Sequence, residues 1–142
     1  MRDHIEFRVH PGKGKWYYRV FVFRNRTLML EFSRRVWKEE FYGGRHDDVF
    51  MARFYSKSVW YRRPKRHKKS LGMVLFYRQY MPQHVRAHEM IHAAVDYFGD
   101  WRFRKIPSSI RVEESFAYSV DGMVKEMNRK YNPEIWTSSK RS

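Results

Sequence analysis

Val85-Arg-Ala-His88-Glu89-Met-Ile-His92-Ala-Ala-Val-Asp-Tyr-Phe98 contains two histidines four positions apart, with a glutamate directly after the first. On a helix, residues four apart lie on one face about one turn from each other, so both imidazoles can occupy adjacent corners of a zinc tetrahedron. A carboxylate beside the metal can accept a proton from the attacking water and return it to the leaving amine. The stretch therefore predicts a helix with His88 and His92 as zinc ligands and Glu89 as general base.

Apolar residues around the histidines recur with near-helical spacing, which predicts a half-buried helix. They are Val85, Ile91, Val95 and Phe98. We expect this helix to begin near Pro82 and to end near Gly99. The simpler alternative is that both histidines are polar positions of an amphipathic helix that binds no metal.

The length of 142 residues predicts one domain, which we place at residues 1–131, followed by a flexible, loosely packed tail at 132–142. The chain has no cysteine, so disulfides, thiolate zinc ligands and a cysteine nucleophile are excluded. No apolar run approaches the ~20 residues of a membrane span, and the first residues lack the apolar core of a signal peptide. We therefore expect no membrane partner and a cytoplasmic location.

The chain is strongly basic, with 30 Lys and Arg against 15 Asp and Glu and a formal charge of +15. Such a surface attracts polyanions, of which nucleic acid is the commonest. The segment Arg62-Arg-Pro-Lys-Arg-His-Lys-Lys69 concentrates this charge beside Trp60 and Tyr61. It predicts an exposed loop that either contacts nucleic acid or forms a solvated hairpin tip.

The remaining sequence predicts mainly strands before the histidine helix. Alternation and β-branched or aromatic content predict strands or extended segments at His4–Val9, Trp16–Phe23, Thr27–Phe32, Val49–Tyr61 and Leu71–Tyr80. A short helix is expected from Ser33 to Tyr42, and a long second helix from about Val112 to Tyr131. We expect Leu71–Tyr80 to lie beside the site with an edge that pairs with a substrate peptide.

A catalytic zinc site usually has a third protein ligand, and the sequence narrows the choice. No histidine follows His92. His84 lies roughly 12 Å along the helix axis from His92, too far to share one ion. Asp96 is one turn beyond His92 and meets a similar objection. Glu113 and Glu114, which open the second helix, are the best candidates. The alternatives that stay open are Asp100, Asp121, His4, His10, His46 and His67.

His88-Glu89-Met-Ile-His92-Ala and Glu113-Glu114-Ser-Phe-Ala117-Tyr together resemble the gluzincin type of zincin metallopeptidase, particularly small phage-encoded metallopeptidase-like proteins. The resemblance covers about residues 71–127. It implies an α+β zincin-like fold, in which a twisted, mostly antiparallel sheet precedes the histidine helix and a second long helix crosses it.

The resemblance also implies a set of functional residues. His88, His92 and Glu114 would bind Zn²⁺, and Glu89 would be the general base; Glu114 is preferred to Glu113 because it matches Glu-x-x-Ala. The position four residues after Glu114 holds Tyr118 instead of the aspartate that many gluzincins carry, so Asp121 is a candidate to orient a histidine.

Two functions follow from the sequence. The first is zinc-dependent hydrolysis of a protein or peptide substrate. The alternative is a basic nucleic-acid-binding protein on a catalytically inactive zincin scaffold, with contacts through residues 62–69.

Overall fold

The computed structural model describes residues 2–40, 50–56, 65–99 and 110–137, without the side chains of 37–40, 65 and 110–113. In chain order the elements are β1 His4–Val9, β2 Tyr17–Phe23, α1 Arg26–Glu40, β3 Arg53–Ser56, β4 Ser70–Tyr77, α2 Gln83–Gly99 and α3 Ile110–Lys130. Short 3-10 helices lie at Lys65–His67 and Pro133–Trp136. The predicted α+β class is confirmed.

The four strands form one mixed sheet in the order β1-β2-β4-β3. β1 is antiparallel to β2, β2 is parallel to β4, and β3 is antiparallel to β4. Alternate residues of the central strands face opposite sides, so the sheet has two buried faces. Val20, Val74 and Phe76 belong to the cluster packed beneath α2 and α3, whereas Phe21 and Leu75 pack on the side of α1.

α2 lies on the sheet through its small and apolar face. Met90, Ala93 and Ala94 are fully buried and share a cluster with Met123 and Met127 of α3. The predicted helices around the histidines and from about Val112 to Tyr131 are therefore confirmed, with ends within a few residues of those expected. This packing leaves the histidine face of α2 exposed.

The predicted strand Thr27–Phe32 is wrong, because these residues belong to α1. The side chain of Asn25 accepts a hydrogen bond from the Leu28 amide at 2.9 Å, which is the contact of a helix N-cap. Met29, Ser33 and Val36 are then buried against the sheet at helical spacing. The helix expected from Ser33 thus starts seven residues earlier, at Arg26, and Tyr42 lies outside the described residues.

The expectation that Leu71–Tyr80 offers a free edge is also wrong. This segment forms β4, which is hydrogen-bonded to β2 on one side and β3 on the other. The terminal strand next to α2 is β3. It lies within Val49–Tyr61, the segment that was expected to be extended. Phe50, Met51 and Ala52 of that segment are described and precede β3. Its other residues, and Arg62 and Arg63 after it, are outside the described residues.

The close approach of β3 to β4 depends on Gly72. Its φ of +155° is a conformation that L side chains rarely adopt, and a Cβ atom there would collide with the carbonyl oxygen of Tyr55 on β3. Glycine therefore allows β3 to pair at this position.

The core extends beyond residue 131. Trp136 is 3% exposed, and its indole N–H donates to the Tyr131 hydroxyl at 3.1 Å. A loosely packed tail from Asn132 is therefore not found over 133–136; residues 138–142 are outside the described part. Within the described ranges, the helices are too short or too polar to span a bilayer.

Candidate metal centre

His88 and His92 bring two ring nitrogens together on the exposed face of α2. Their Nε2 atoms are 3.1 Å apart, and the ring planes are inclined at 83°. Two nitrogens bound to one tetrahedral zinc at the usual Zn–N length are about 3.3 Å apart. The separation of the two nitrogens is therefore compatible with one shared ion as well as with a hydrogen bond between the rings.

Glu89 is the buried member of the group. It is 6% exposed, its Oε2 lies 3.9 Å from His88 Nε2, and the nearest ligand atoms of His88, Glu89 and His92 all fall within 4.8 Å of one another. Burial raises the pKa of Glu89, against opposing effects of His88 and Arg53. A carboxylate with a raised pKa is a stronger base than a solvated one, as proton abstraction from water requires.

His92 is held from the side by β3. The Phe54 ring lies beside the imidazole and nearly parallel to it, with a centroid distance of 6.2 Å and an interplanar angle of 11°. Burial, with a further effect from His88, lowers the pKa of His92. The neutral imidazole is the form that ligates a metal, so the surroundings of His92 favour the metal-binding state.

One turn beyond His92, Asp96 fixes α2 to the sheet. The Tyr18 hydroxyl on β2 donates to Asp96 Oδ2 at 2.6 Å, and the Ser56 hydroxyl on β3 donates to Oδ1. Sequence reasoning considered Asp96 only as a metal ligand and missed this role. The available signal in the sequence was the position of Asp96 one helical turn after His92. This spacing could not reveal its hydrogen-bond partners, because Tyr18 and Ser56 come from distant segments.

An open cleft of about 570 Å³ adjoins His88 and Glu89. It is lined by Met51, Ala52, Tyr80, His84, Val85, His88 and Glu89. His84, which the sequence predicted to be too far from His92 to share an ion, lies in this wall and outside the close group of His88, Glu89 and His92. The walls contributed by Met51, Ala52 and Tyr80 were not predicted.

The described conformation does not bring Glu114 to the histidines. α3 runs antiparallel to α2, with Arg86 hydrogen-bonded to Asn128 and Phe98 against Phe116. Phe98 is six residues, or roughly 9 Å of helix rise, beyond His92. Glu114 is exposed, and among the described side chains the close group of possible metal ligands consists of His88, Glu89 and His92.

The other residues considered around the second helix are also away from the histidine pair. Asp121 is exposed and paired with Lys125 at 3.0 Å, and Tyr118 is 74% exposed on α3. The side chain of Glu113 lies outside the described part of the chain. The third ligand and the partner that orients a histidine therefore stay predictions.

No protein-family model matches the chain, and neither a curated protein nor a solved structure matches it.

Proposed function

We propose that this protein is a zinc-dependent metallopeptidase of the zincin type, with His88 and His92 as zinc ligands and Glu89 as general base. The observation that carries the proposal is the group itself. Two imidazole nitrogens 3.1 Å apart lie beside a carboxylate that is 6% exposed. Nitrogen donors at this spacing suit Zn²⁺, and the chain offers no thiolate as an alternative.

A bound zinc would supply Lewis-acid activation of water and of the substrate carbonyl. Glu89 would accept the proton of the attacking water at its carboxylate and deliver it to the departing amine nitrogen. Its burial supports the first step, because desolvation raises the pKa of Glu89 and so makes the carboxylate a stronger base.

The surroundings support a peptide as substrate. The cleft beside Glu89 has apolar walls from Met51, Tyr80 and Val85, which suit an apolar side chain next to the cleaved bond. β3 is the terminal strand of the described sheet, and it contacts α2 beside this cleft.

Glu114 is proposed as the third ligand because it opens the second helix and, with Ala117, matches the Glu-x-x-Ala pattern. In the described conformation it is outside the group of His88, Glu89 and His92, so ligation would require α3 to move relative to α2. Zinc content measured in Glu114→Ala and Glu113→Ala distinguishes the two candidates: stoichiometric zinc lost in only one variant identifies the ligand. Full retention in both would exclude this pair.

The function is tested by measuring zinc content and cleavage of a mixed peptide library in parallel. Glu89→Gln should retain zinc and lose turnover, His88→Ala should lose zinc and turnover, and His84→Ala should retain zinc as a matched control. Zinc-dependent cleavage that persists in Glu89→Gln would contradict the proposed role of Glu89. Wild-type protein that fails to bind zinc at micromolar concentration would contradict the metal site.

A further inference from the structure

Two basic segments of the described chain meet at one end of the sheet. β2 and β4 are parallel, so the β1–β2 turn and residues 65–69 both lie where these strands begin. The Tyr17 amide donates to the Lys69 carbonyl at 3.1 Å, and Lys69 Nζ lies 4.8 Å from the centre of the Trp16 ring. Residues distant in sequence thus form one surface.

Tyr17 connects this surface to β1. Its hydroxyl lies 2.7 Å from His67 Nδ1, and the Arg8 guanidinium lies over its ring at 4.2 Å. Arg8, Arg66 and His67 line a shared groove of about 390 Å³ with Glu6. The contacts fix the backbone segments that carry the cations.

The cationic side chains at this end are exposed, and we call them together the basic end. They are Arg8, Lys13, Lys15, Arg66, Lys68 and Lys69. The nearby carboxylates are already neutralised: Glu6 pairs with Arg19 at 2.9 Å and Glu126 with Lys130 at 2.7 Å. The basic end therefore carries a concentrated positive charge.

We propose that the basic end binds the phosphate backbone of duplex DNA. Charge complementarity selects a polyanion, and the cations that cover the described aromatic rings at this end favour a duplex over a single strand. Proteins that bind single strands offer free aromatic faces on which bases stack. Here Arg8 covers Tyr17, which is 3% exposed, and Lys69 lies over Trp16, so the described rings give unstacked bases no open platform.

The proposal is independent of the metallopeptidase function and is tested on the full chain with a 20-base-pair DNA duplex. Fluorescence anisotropy gives the affinity at several salt concentrations for wild type, for Lys13→Gln/Lys15→Gln/Lys69→Gln, and for the charge-matched control Arg34→Gln/Arg35→Gln/Lys125→Gln. Each phosphate contact contributes about 0.9 to the slope of log affinity against log salt, so the first triple variant should reduce the slope by up to about 2.7. The control should leave the slope within about 0.5 of wild type.

Three results would overturn the proposal. Equal losses in both triple variants would mean that net charge acts without a site, and tighter binding of a single strand of the same length would contradict the choice of duplex. Tighter binding to vesicles with anionic lipid than to the duplex would assign the surface to a membrane. Because Lys69 contacts Trp16, Lys13→Gln/Lys15→Gln provides a second variant, with an expected slope reduction of up to about 1.8.

Discussion

The ring of Phe54 lies nearly parallel to the imidazole of His92, with centroids 6.2 Å apart and planes 11° apart. One residue is on β3 and the other on α2, so the orientation of a predicted zinc ligand depends on a strand that is far away in sequence. Such contacts reduce the number of ring orientations open to the free histidine, and a preoriented ligand binds metal more tightly.

Replacement of Phe54 by leucine should weaken zinc binding. An aromatic pair contributes about 0.5–1.5 kcal/mol beyond its buried area, which corresponds to roughly a two- to tenfold loss of zinc affinity if the contact serves mainly to orient His92. Competition titration with a zinc chelator measures this. Phe32→Leu, on the opposite side of the sheet, is the control; an equal loss in both variants would show a general effect of destabilisation.

Asp96→Asn should lower stability. Asparagine keeps the shape but replaces one acceptor oxygen by an NH₂ group, which faces the hydroxyl of Tyr18 or Ser56. Hydrogen bonds to a charged group contribute about 1.5–3 kcal/mol each, so a loss of at least about 1 kcal/mol is expected in urea unfolding. Asp121→Asn is the control, because its exposed pair with Lys125 should contribute no more than about 1 kcal/mol. If Asp121→Asn lowers the free energy of unfolding as much as Asp96→Asn does, the hydrogen bonds from Tyr18 and Ser56 do not fix α2.

Glu126 should make stability depend on pH in the acid range. Burial acts to raise its pKa, but hydrogen bonds from Lys130 and from the His10 amide and ring outweigh that effect and lower the pKa below its ordinary value of 4.5. The ionised form is therefore favoured in the folded state. Its contribution is fully present above pH 4.5 and is lost as pH falls through the lower folded pKa.

Glu126→Gln should accordingly be less stable than wild type near pH 7, and the difference should shrink below pH 4.5. Urea unfolding at successive pH values measures both curves. Lys130→Met removes one of the hydrogen bonds to Glu126. It should therefore also lower stability near pH 7, by less than Glu126→Gln does. A difference between Glu126→Gln and wild type that stays constant down to pH 3 would contradict the assignment.

Gly72→Ala should be strongly destabilising. The positive φ alone costs about 1–3 kcal/mol for a residue with a side chain, and the collision with Tyr55 adds to this. Gly122→Ala in α3 should have the opposite effect, with a gain of up to about 1 kcal/mol, because a Cβ there meets no atom within 4 Å. Thermal unfolding measures the expected loss of stability in Gly72→Ala and the expected gain in Gly122→Ala. Wild-type stability in Gly72→Ala would contradict the close approach of β3 to β4.

Local patterns predicted what depends on neighbours in sequence. The helix at His88 to His92 follows from spacing within one segment, as do β1 and β2. Thr27–Phe32 could not be assigned in this way, because Asn25 suits both a turn and an N-cap and only packing against the sheet decides between them. Whether β4 is central or at the edge depends on β3, and the reach of Glu114 depends on how α3 lies along α2. Both are relations between distant segments, which spacing does not encode.

The parallel pairing of β2 with β4 has a consequence for biosynthesis. Val20 of β2 pairs with Val74 of β4. β2 therefore leaves the ribosome long before β4 has been synthesised. Until then the β1–β2 hairpin has an unpaired edge and apolar side chains such as Phe21 and Phe23, which are nearly inaccessible in the finished fold. An unpaired apolar strand of this kind is prone to intermolecular association. We therefore expect chains truncated before β4 to aggregate, and the nascent protein to depend on rapid synthesis or on a chaperone until residue 77 has emerged.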